Sequence, residues 1–192
     1  MPGAAKIIPE TLVYELVDGK PVYYQGYRAF LSGKNKTAEP MGSSLLQSII
    51  ITNLVVWLHS KLGKRYHVFT NELGLLMPGG NRRAVDIAIY LKSSLPASAF
   101  DNKYATIPPK VIIEIDTKAE LSEIRDTFTY YNQKTEQLLT FGVEKVIWIF
   151  TESRKVMVAE KDKPWQLHDW EAPIQVWESV TFSVADIAGQ GA

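Results

Sequence analysis

The chain has 192 residues, 46% of them apolar and 22% charged, which is ordinary globular usage and argues against disorder or a fibrous repeat. Its 21 basic and 21 acidic residues give a formal net charge of zero, so it is not a general polyanion binder and any nucleic-acid contact must be local. The lack of cysteine excludes disulfides, thiolate metal sites and cysteine nucleophiles. There is no signal-peptide core and no uninterrupted apolar run of about 18 residues. We therefore expect one domain over residues 1–192, in the cytoplasm and without a membrane.

Local patterns divide the chain into a hairpin, two helices and a series of strands. Asp18-Gly19 between β-forming runs predicts the hairpin, and serines before Leu45 with Gly63 after Leu62 predict the ends of the first helix. The predicted elements are strands 13–17 and 21–27, a helix over 45–62, a meander of strands 66–70, 73–77 and 84–90, a strand over 111–116, an amphipathic helix over 121–141, and strands 145–150, 155–161, 166–170 and 174–182. This order favours an α/β (α+β) fold, a mixed sheet with helices against it. No glycine-rich phosphate loop is present, so we expect no organic cofactor.

Two acidic residues interrupt apolar, β-branched runs that are typical of buried strands. Asp86 lies within Ala84–Tyr90, and Glu114 lies within Val111–Asp116. A buried carboxylate costs several kcal/mol, roughly, unless a cation or a donor compensates it. Side chains alternate along a strand, so Asp116 is predicted to share a face with Glu114, and neighbouring strands would bring all three carboxylates together. Converging oxygen ligands without cysteine or paired histidine suit Mg²⁺ or Mn²⁺ better than zinc.

The ordered set of motifs resembles the PD-(D/E)XK nuclease superfamily, and more closely the Uma-type restriction endonuclease family, formerly a domain of unknown function. The likeness spans about residues 14–150. It is carried by Tyr14-Glu15-Leu16-Val17-Asp18-Gly19, Val85-Asp86-Ile87-Ala88-Ile89, Pro109-Lys110-Val111-Ile112-Ile113-Glu114-Ile115, and Lys134 followed by Phe141-Gly142-Val143-Glu144-Lys145-Val146-Ile147-Trp148-Ile149. The resemblance implies a restriction-endonuclease-like αβββαβ core over about 13–150, with an N-terminal β-hairpin and a C-terminal β-rich extension over 151–192. It also implies a homodimer that hydrolyses DNA phosphodiester bonds with Mg²⁺ (or Mn²⁺).

The resemblance also assigns roles to single residues. Asp86 and Glu114 correspond to the metal-binding and catalytic carboxylates, and Glu15 corresponds to a recurring glutamate of the hairpin. Asp116, a further candidate metal ligand, stands where the superfamily has its lysine. In this family that lysine comes from the following helix, where Lys134 is found. Gln47 stands where other members place a histidine, and it is a candidate contact for the phosphate.

Each assignment has a plainer alternative. Asp86 could form a structural ion pair with Arg82 or Arg83 across the end of its strand. The two arginines are candidates for binding a nucleic-acid backbone, although solvated loop charge is the more economical interpretation because positive charge is not in excess. Glu114 could form a purely structural buried pair with Lys134.

The remaining candidates are also ambiguous. Lys134 alone would be a solvated helix lysine, Glu15 an exposed strand residue, Gln47 a polar residue of a first helical turn, and Lys118 could take the place of Lys134. For the whole protein, the alternatives to a nuclease are a catalytically lapsed member that binds nucleic acid or a protein partner, and a purely structural module.

Overall fold

The computed structural model describes residues 8–33, 43–117, 119–121 and 127–189. Over these ranges the chain is a mixture of strands and helices, as predicted. The elements are β1 (Val13–Val17), β2 (Lys20–Tyr23), α1 (Tyr27–Leu31), α2 (Leu45–Leu62), β3 (Tyr66–Phe69), β4 (Leu73–Leu76), β5 (Arg82–Val85), β6 (Ile87–Leu91), β7 (Val111–Ile115), α3 (Thr127–Phe141), β8 (Lys145–Phe150), β9 (Lys155–Glu160), β10 (Gln166–Asp169), β11 (Ile174–Trp177), β12 (Val180–Phe182) and α4 (Val184–Gly189).

Half of the strands form one mixed six-stranded sheet in the order β10-β9-β8-β7-β6-β3. Its central strands β7 and β8 are parallel, which requires a long crossover, and α3 lies within that crossover. The other neighbouring pairs are antiparallel. A second sheet, in the order β2-β1-β5-β4, contains the N-terminal hairpin. The predicted mixed sheet with flanking helices is confirmed.

The core lies on both faces of the six-stranded sheet. On one face, Ile113 of β7 and Ile147 of β8 pack in a cluster that includes Leu54 of α2. On the other face, Ile112 and Trp148 pack with residues of α3. Alternate residues of one strand thus enter opposite clusters, so the central strands are apolar throughout rather than alternating with polar residues. A charged residue in these strands therefore has no solvated face to occupy.

Helix α2 begins and ends where the sequence predicts. The Ser44 side chain accepts a hydrogen bond from the Gln47 amide, and Gly63 follows the last turn with a φ of 67°. The segment Leu45–Arg65 is long and apolar enough to cross a membrane by length and composition alone, a test that core helices of water-soluble proteins also pass. Here Leu54 and Leu58 are fully buried against the sheet. In its first turn, Gln47 donates to the Ile115 carbonyl, which holds the start of the helix beside the end of β7.

Four predicted elements differ from the structure. The predicted strand 174–182 is two strands, β11 and β12, which pair antiparallel. The predicted strand through Asp86 is wrong, because the chain bends at that residue and changes from the small sheet, as β5, to the large sheet, as β6. The second hairpin strand ends at Tyr23 rather than Tyr27, since Gly26, with a φ of 78°, begins α1. Helix α3 is described from Thr127, and residues 122–126 of the predicted helix lie outside the described residues.

Candidate active site

Asp86 lies at the bend where the chain changes sheets. Its Oδ2 accepts a hydrogen bond of 2.8 Å from the Ile115 amide at the end of β7. The side chain lines a cleft of about 440 Å³, together with Ser48 and Thr52 of α2 and Glu72 of the turn between β3 and β4. Asp86 is therefore anchored to β7 while it borders an open cleft.

Glu114 lies on β7, one residue before the amide that binds Asp86, and is 1% exposed. Its Oε1 lies 3.0 Å from the Nζ of Lys134, but within the described residues this oxygen accepts no well-aligned hydrogen bond. Burial raises the pKa of Glu114 to about 8; the nearby Asp86 charge also raises it, whereas Lys134 lowers it. Of the three carboxylates predicted to converge, Asp86 and Glu114 lie close enough for the charge of one to affect the pKa of the other, whereas Asp116 is bound by Thr151.

Lys134 of α3 is fully buried between two glutamates. Its Nζ lies 2.9 Å from Glu15 Oε1 and 3.0 Å from Glu114 Oε1, and it donates a hydrogen bond of 2.8 Å to the Ala84 carbonyl. Burial lowers the pKa of this amine, but the two carboxylates outweigh burial and hold the pKa well above its ordinary value. Lys134 is therefore a fixed ammonium at neutral pH, suited to orienting anions rather than to accepting a proton.

Glu15 of β1 is also fully buried and is surrounded by donors. Besides Lys134 it accepts hydrogen bonds from Arg83 Nη1 at 2.6 Å, from the Tyr130 hydroxyl at 2.8 Å and from the Ala84 amide at 3.3 Å. Burial raises the pKa of Glu15, but the Lys134 and Arg83 cations outweigh burial and hold the pKa below its usual value. Glu15 is the anion that holds both cations in place, and the alternative of an exposed strand residue is wrong.

The two neighbouring arginines have opposite environments. Arg82 is exposed, whereas Arg83 is buried and donates from Nε and Nη2 to the Gln137 side-chain oxygen at 3.0 and 2.7 Å. The interpretation of Arg83 as solvated loop charge is wrong. Tyr130 and Gln137 were missed by the sequence reasoning. They lie four residues before and three after Lys134, a spacing that places polar groups on one face of a helix.

Asp116 and Gln47 lie near the end of β7 but contact other groups. Asp116 has a φ of 56°, which ends the strand alternation, and its carboxylate accepts from the Thr151 amide at 2.8 Å and the Thr151 hydroxyl at 2.6 Å. Gln47 is buried and donates to the Ile115 carbonyl at 2.6 Å. Their roles as metal ligand and phosphate contact stay predictions. Lys118 lies outside the described residues.

The donor set fits a magnesium-type ion only in part. Within the described ranges, no three His, Cys, Asp or Glu side chains are grouped so as to enclose a metal. Asp86 and Glu114 supply acidic oxygens, one of which, Glu114 Oε1, faces the Lys134 ammonium at 3.0 Å. Mg²⁺ usually keeps several waters and uses one or two carboxylates plus substrate phosphate. The pair therefore fits an ion completed by water and substrate, not an all-protein cage.

Comparison with known proteins gives a structural neighbour. No family model and no curated protein matches the sequence. Among solved structures, the chain is similar to a putative nuclease belonging to DUF820 from Anabaena variabilis ATCC 29413, with a TM-score of 0.67 and 18% sequence identity. The match covers 95% of this chain and 93% of that one. At this identity the similarity shows the fold alone, and the chain has a nuclease-like fold.

Proposed function

We propose that the chain is a PD-(D/E)XK nuclease that hydrolyses DNA phosphodiester bonds with Mg²⁺ or Mn²⁺. The observation that carries this proposal joins three charged residues from separate segments: the Lys134 Nζ lies 3.0 Å from Glu114, and Asp86 accepts from the amide of Ile115, the residue after Glu114. Buried ion pairs contribute little net stability, because desolvation offsets their attraction. Groups with strongly shifted pKa values concentrate at functional sites. The nuclease-like fold supports the same assignment.

In this proposal each side chain has a distinct task. Asp86 and Glu114 would hold the divalent ion, which when bound would acidify a water and polarise a phosphate oxygen. Lys134 stays protonated because two carboxylates keep its pKa high. Its ammonium group then stabilises negative charge on the phosphate. Glu15 fixes the position of that ammonium. Asp116 remains a candidate further ligand.

Two further residues belong to the proposal without lining the Asp86 cleft. Gln47 holds the end of β7 through the Ile115 carbonyl and is proposed to contact the phosphate. Arg82 is exposed on β5 and is the better candidate of the two arginines for contacting the nucleic-acid backbone, because Arg83 donates to Glu15 and Gln137. A homodimer in the cytoplasm remains part of the proposal.

A second candidate function is a lapsed nuclease that only binds nucleic acid or a protein partner. Two observations favour it. The position at which the superfamily has lysine is occupied by Asp116, whose carboxylate is bound by Thr151. Lys134 is closed to solvent and already paired with two glutamates. A site in this state would need no metal to remain folded.

Calorimetric titration of Mg²⁺ into metal-free protein separates the two candidates. A working site binds the ion, and binding is lost in Glu114→Gln, which keeps the shape of the side chain but removes its charge. Glu144→Gln is the matched control, because Glu144 is a surface glutamate paired with Lys110. Absence of binding, or binding that survives Glu114→Gln, would refute the proposed metal site and favour the lapsed candidate.

A further inference from the structure

A second cavity lies beside the edge of the large sheet. It has a volume of about 340 Å³ and is enclosed by β3, β6 and the segment 95–107. Four aromatic side chains dominate its lining, namely Phe69, Tyr90, Phe100 and Tyr104. We call it the aromatic pocket. Its size exceeds that of a single water and its walls are flat rings.

One wall of the aromatic pocket is the Tyr104 ring, which lies directly against the backbone of β4 at Gly74. A Cβ added to Gly74 would lie 2.7 Å from the Tyr104 ring, so this ring rests directly on the β4 backbone. The adjacent Ala105 amide donates to the Gly74 carbonyl at 2.9 Å, and the Leu76 amide donates to the Ala105 carbonyl at 2.9 Å. The ring is therefore fixed in place without a ligand.

The other side of the pocket is open. Phe100 is 59% exposed and Tyr104 is 50% exposed, although both line the cavity. Phe100 packs edge-to-face with His67 of β3, at a centroid distance of 5.8 Å. Two half-exposed rings that face one cavity offer apolar area to a flat molecule between or upon them.

Polar groups at the rim limit what that molecule can be. Ser98 and Thr106 offer hydroxyls, while Asp101 and Lys103 add one charge of each sign. The Asp101 carboxylate accepts from the Lys103 amide at 2.9 Å, and the Lys103 Nζ lies 4.0 Å from the same carboxylate. An occupant with apolar faces and hydrogen-bonding edges, linked to an anionic backbone near Lys103, matches this lining.

The position of the pocket relates it to the candidate active site. Phe69 pairs with Ala88 across the β3–β6 ladder, two residues from Asp86. Ala88 follows Asp86 by two residues and Tyr90 follows it by four, so the pocket lies along the strand that begins directly after Asp86. A substrate strand that continues from Asp86 along β6 would come to the level of the pocket.

We propose that the aromatic pocket holds one unpaired nucleobase of the substrate strand, stacked on Phe100 and Tyr104. This inference rests on the proposed function, and it names single-stranded or locally unpaired nucleic acid as the substrate class. A paired base presents no free face, so a duplex would have to extrude the base first. Stacking on aromatic side chains tolerates every base, so the pocket confers preference for unpaired strands rather than for a sequence.

Binding of short labelled oligomers in the presence of chelator tests the proposal without cleavage. The probes are an oligothymidylate and an abasic deoxyribose-phosphate oligomer of equal length, which carry equal charge and differ only in their bases. We expect wild type to bind the oligothymidylate about fivefold or more tightly, as one stacked base predicts. Phe100→Ala abolishes that preference, whereas Phe100→Trp keeps it. Phe128→Ala, at an exposed phenylalanine of α3, is the matched control and leaves it unchanged.

Equal affinity for the two oligomers, or an unchanged preference in Phe100→Ala, overturns the proposal and leaves an apolar segment of a protein partner as the occupant. Metal-dependent plasmid cleavage by the same preparations keeps the two claims apart. Cleavage without a base preference refutes the pocket but not the nuclease. A preference lost in Phe100→Ala, without cleavage under any metal, supports the pocket and refutes the nuclease.

Discussion

Replacing Arg83 by methionine tests the buried charge network independently of any activity. The Arg83 and Glu15 side chains are both 0% exposed, and their charged atoms lie 2.6 Å apart. The substitution leaves Glu15 with Lys134 as its remaining cation, and it removes both donors from the Gln137 side-chain oxygen. Breaking a buried ion pair from one side costs about 3–5 kcal/mol. A chain of this length loses about 2–4 °C in unfolding temperature per kcal/mol, so we expect a drop of roughly 6–20 °C.

Arg82→Met provides the matched control, since it makes the same chemical change one residue earlier at an exposed position. We expect it to change the free energy of unfolding by no more than about 0.5 kcal/mol. Urea unfolding at neutral pH, followed by circular dichroism, gives both free energies, and a thermal scan gives both temperatures. If Arg83→Met falls within about 1 kcal/mol of Arg82→Met, the buried network does not have the role that we assign to it.

Other predictions concern the carboxylates and the aromatic pocket. Because the folded state raises the pKa of Glu114 from 4.5 to about 8, it keeps a proton that the unfolded state has lost, so the stability of the metal-free protein falls as pH rises through this window. Glu114→Gln should remove this pH dependence of the free energy of unfolding, measured by urea unfolding between about pH 4.5 and 8. If the free energies of variant and wild type change in parallel with pH, the raised pKa does not belong to Glu114. Mg²⁺ at about 100 times its Kd should stabilise wild type by about 3 kcal/mol in scanning calorimetry but leave Asp86→Asn unchanged, and an equal gain in both would argue against Asp86 as a ligand. Gly74→Ala should cost about 1–3 kcal/mol in urea unfolding by displacing the Tyr104 ring, and an unchanged free energy would mean that the ring moves freely.

The sequence predicted those helices and strands whose ends are determined by residues adjacent in the chain. The limits of α2 followed from Ser44 and Gly63, and β8 followed from the unbroken apolar run 146–150. The break at Asp86 did not follow, because Arg82–Leu91 has the pattern of one strand. Which sheet each half joins is decided by pairing with β1 on one side and β7 on the other, and those partners are remote in sequence.

The candidate site was predictable to a similar extent. Glu114 stood out because a charge within a β-branched run must be compensated, and the family resemblance pointed to Lys134. The burial of Arg83 was not predictable from the adjacent pair, because its partner Glu15 is 68 residues away and Arg82 has the same chemistry. The spacing of Tyr130, Lys134 and Gln137 on α3 was a usable signal of a polar stripe facing inward, and it was overlooked.

Cleavage of supercoiled plasmid, and of labelled single and double strands, tests the central claim most directly. Wild type is compared with Asp86→Asn, Glu114→Gln and Lys134→Met, each first shown to fold by circular dichroism, in Mg²⁺, Mn²⁺ or chelator. Lys163→Met is the control, since the Lys163 side chain is exposed and forms a surface ion pair with Glu160. The account predicts metal-dependent cutting that each of the three site substitutions abolishes and Lys163→Met retains. Cutting that survives Glu114→Gln, or no cutting by wild type under any of these conditions, would contradict it.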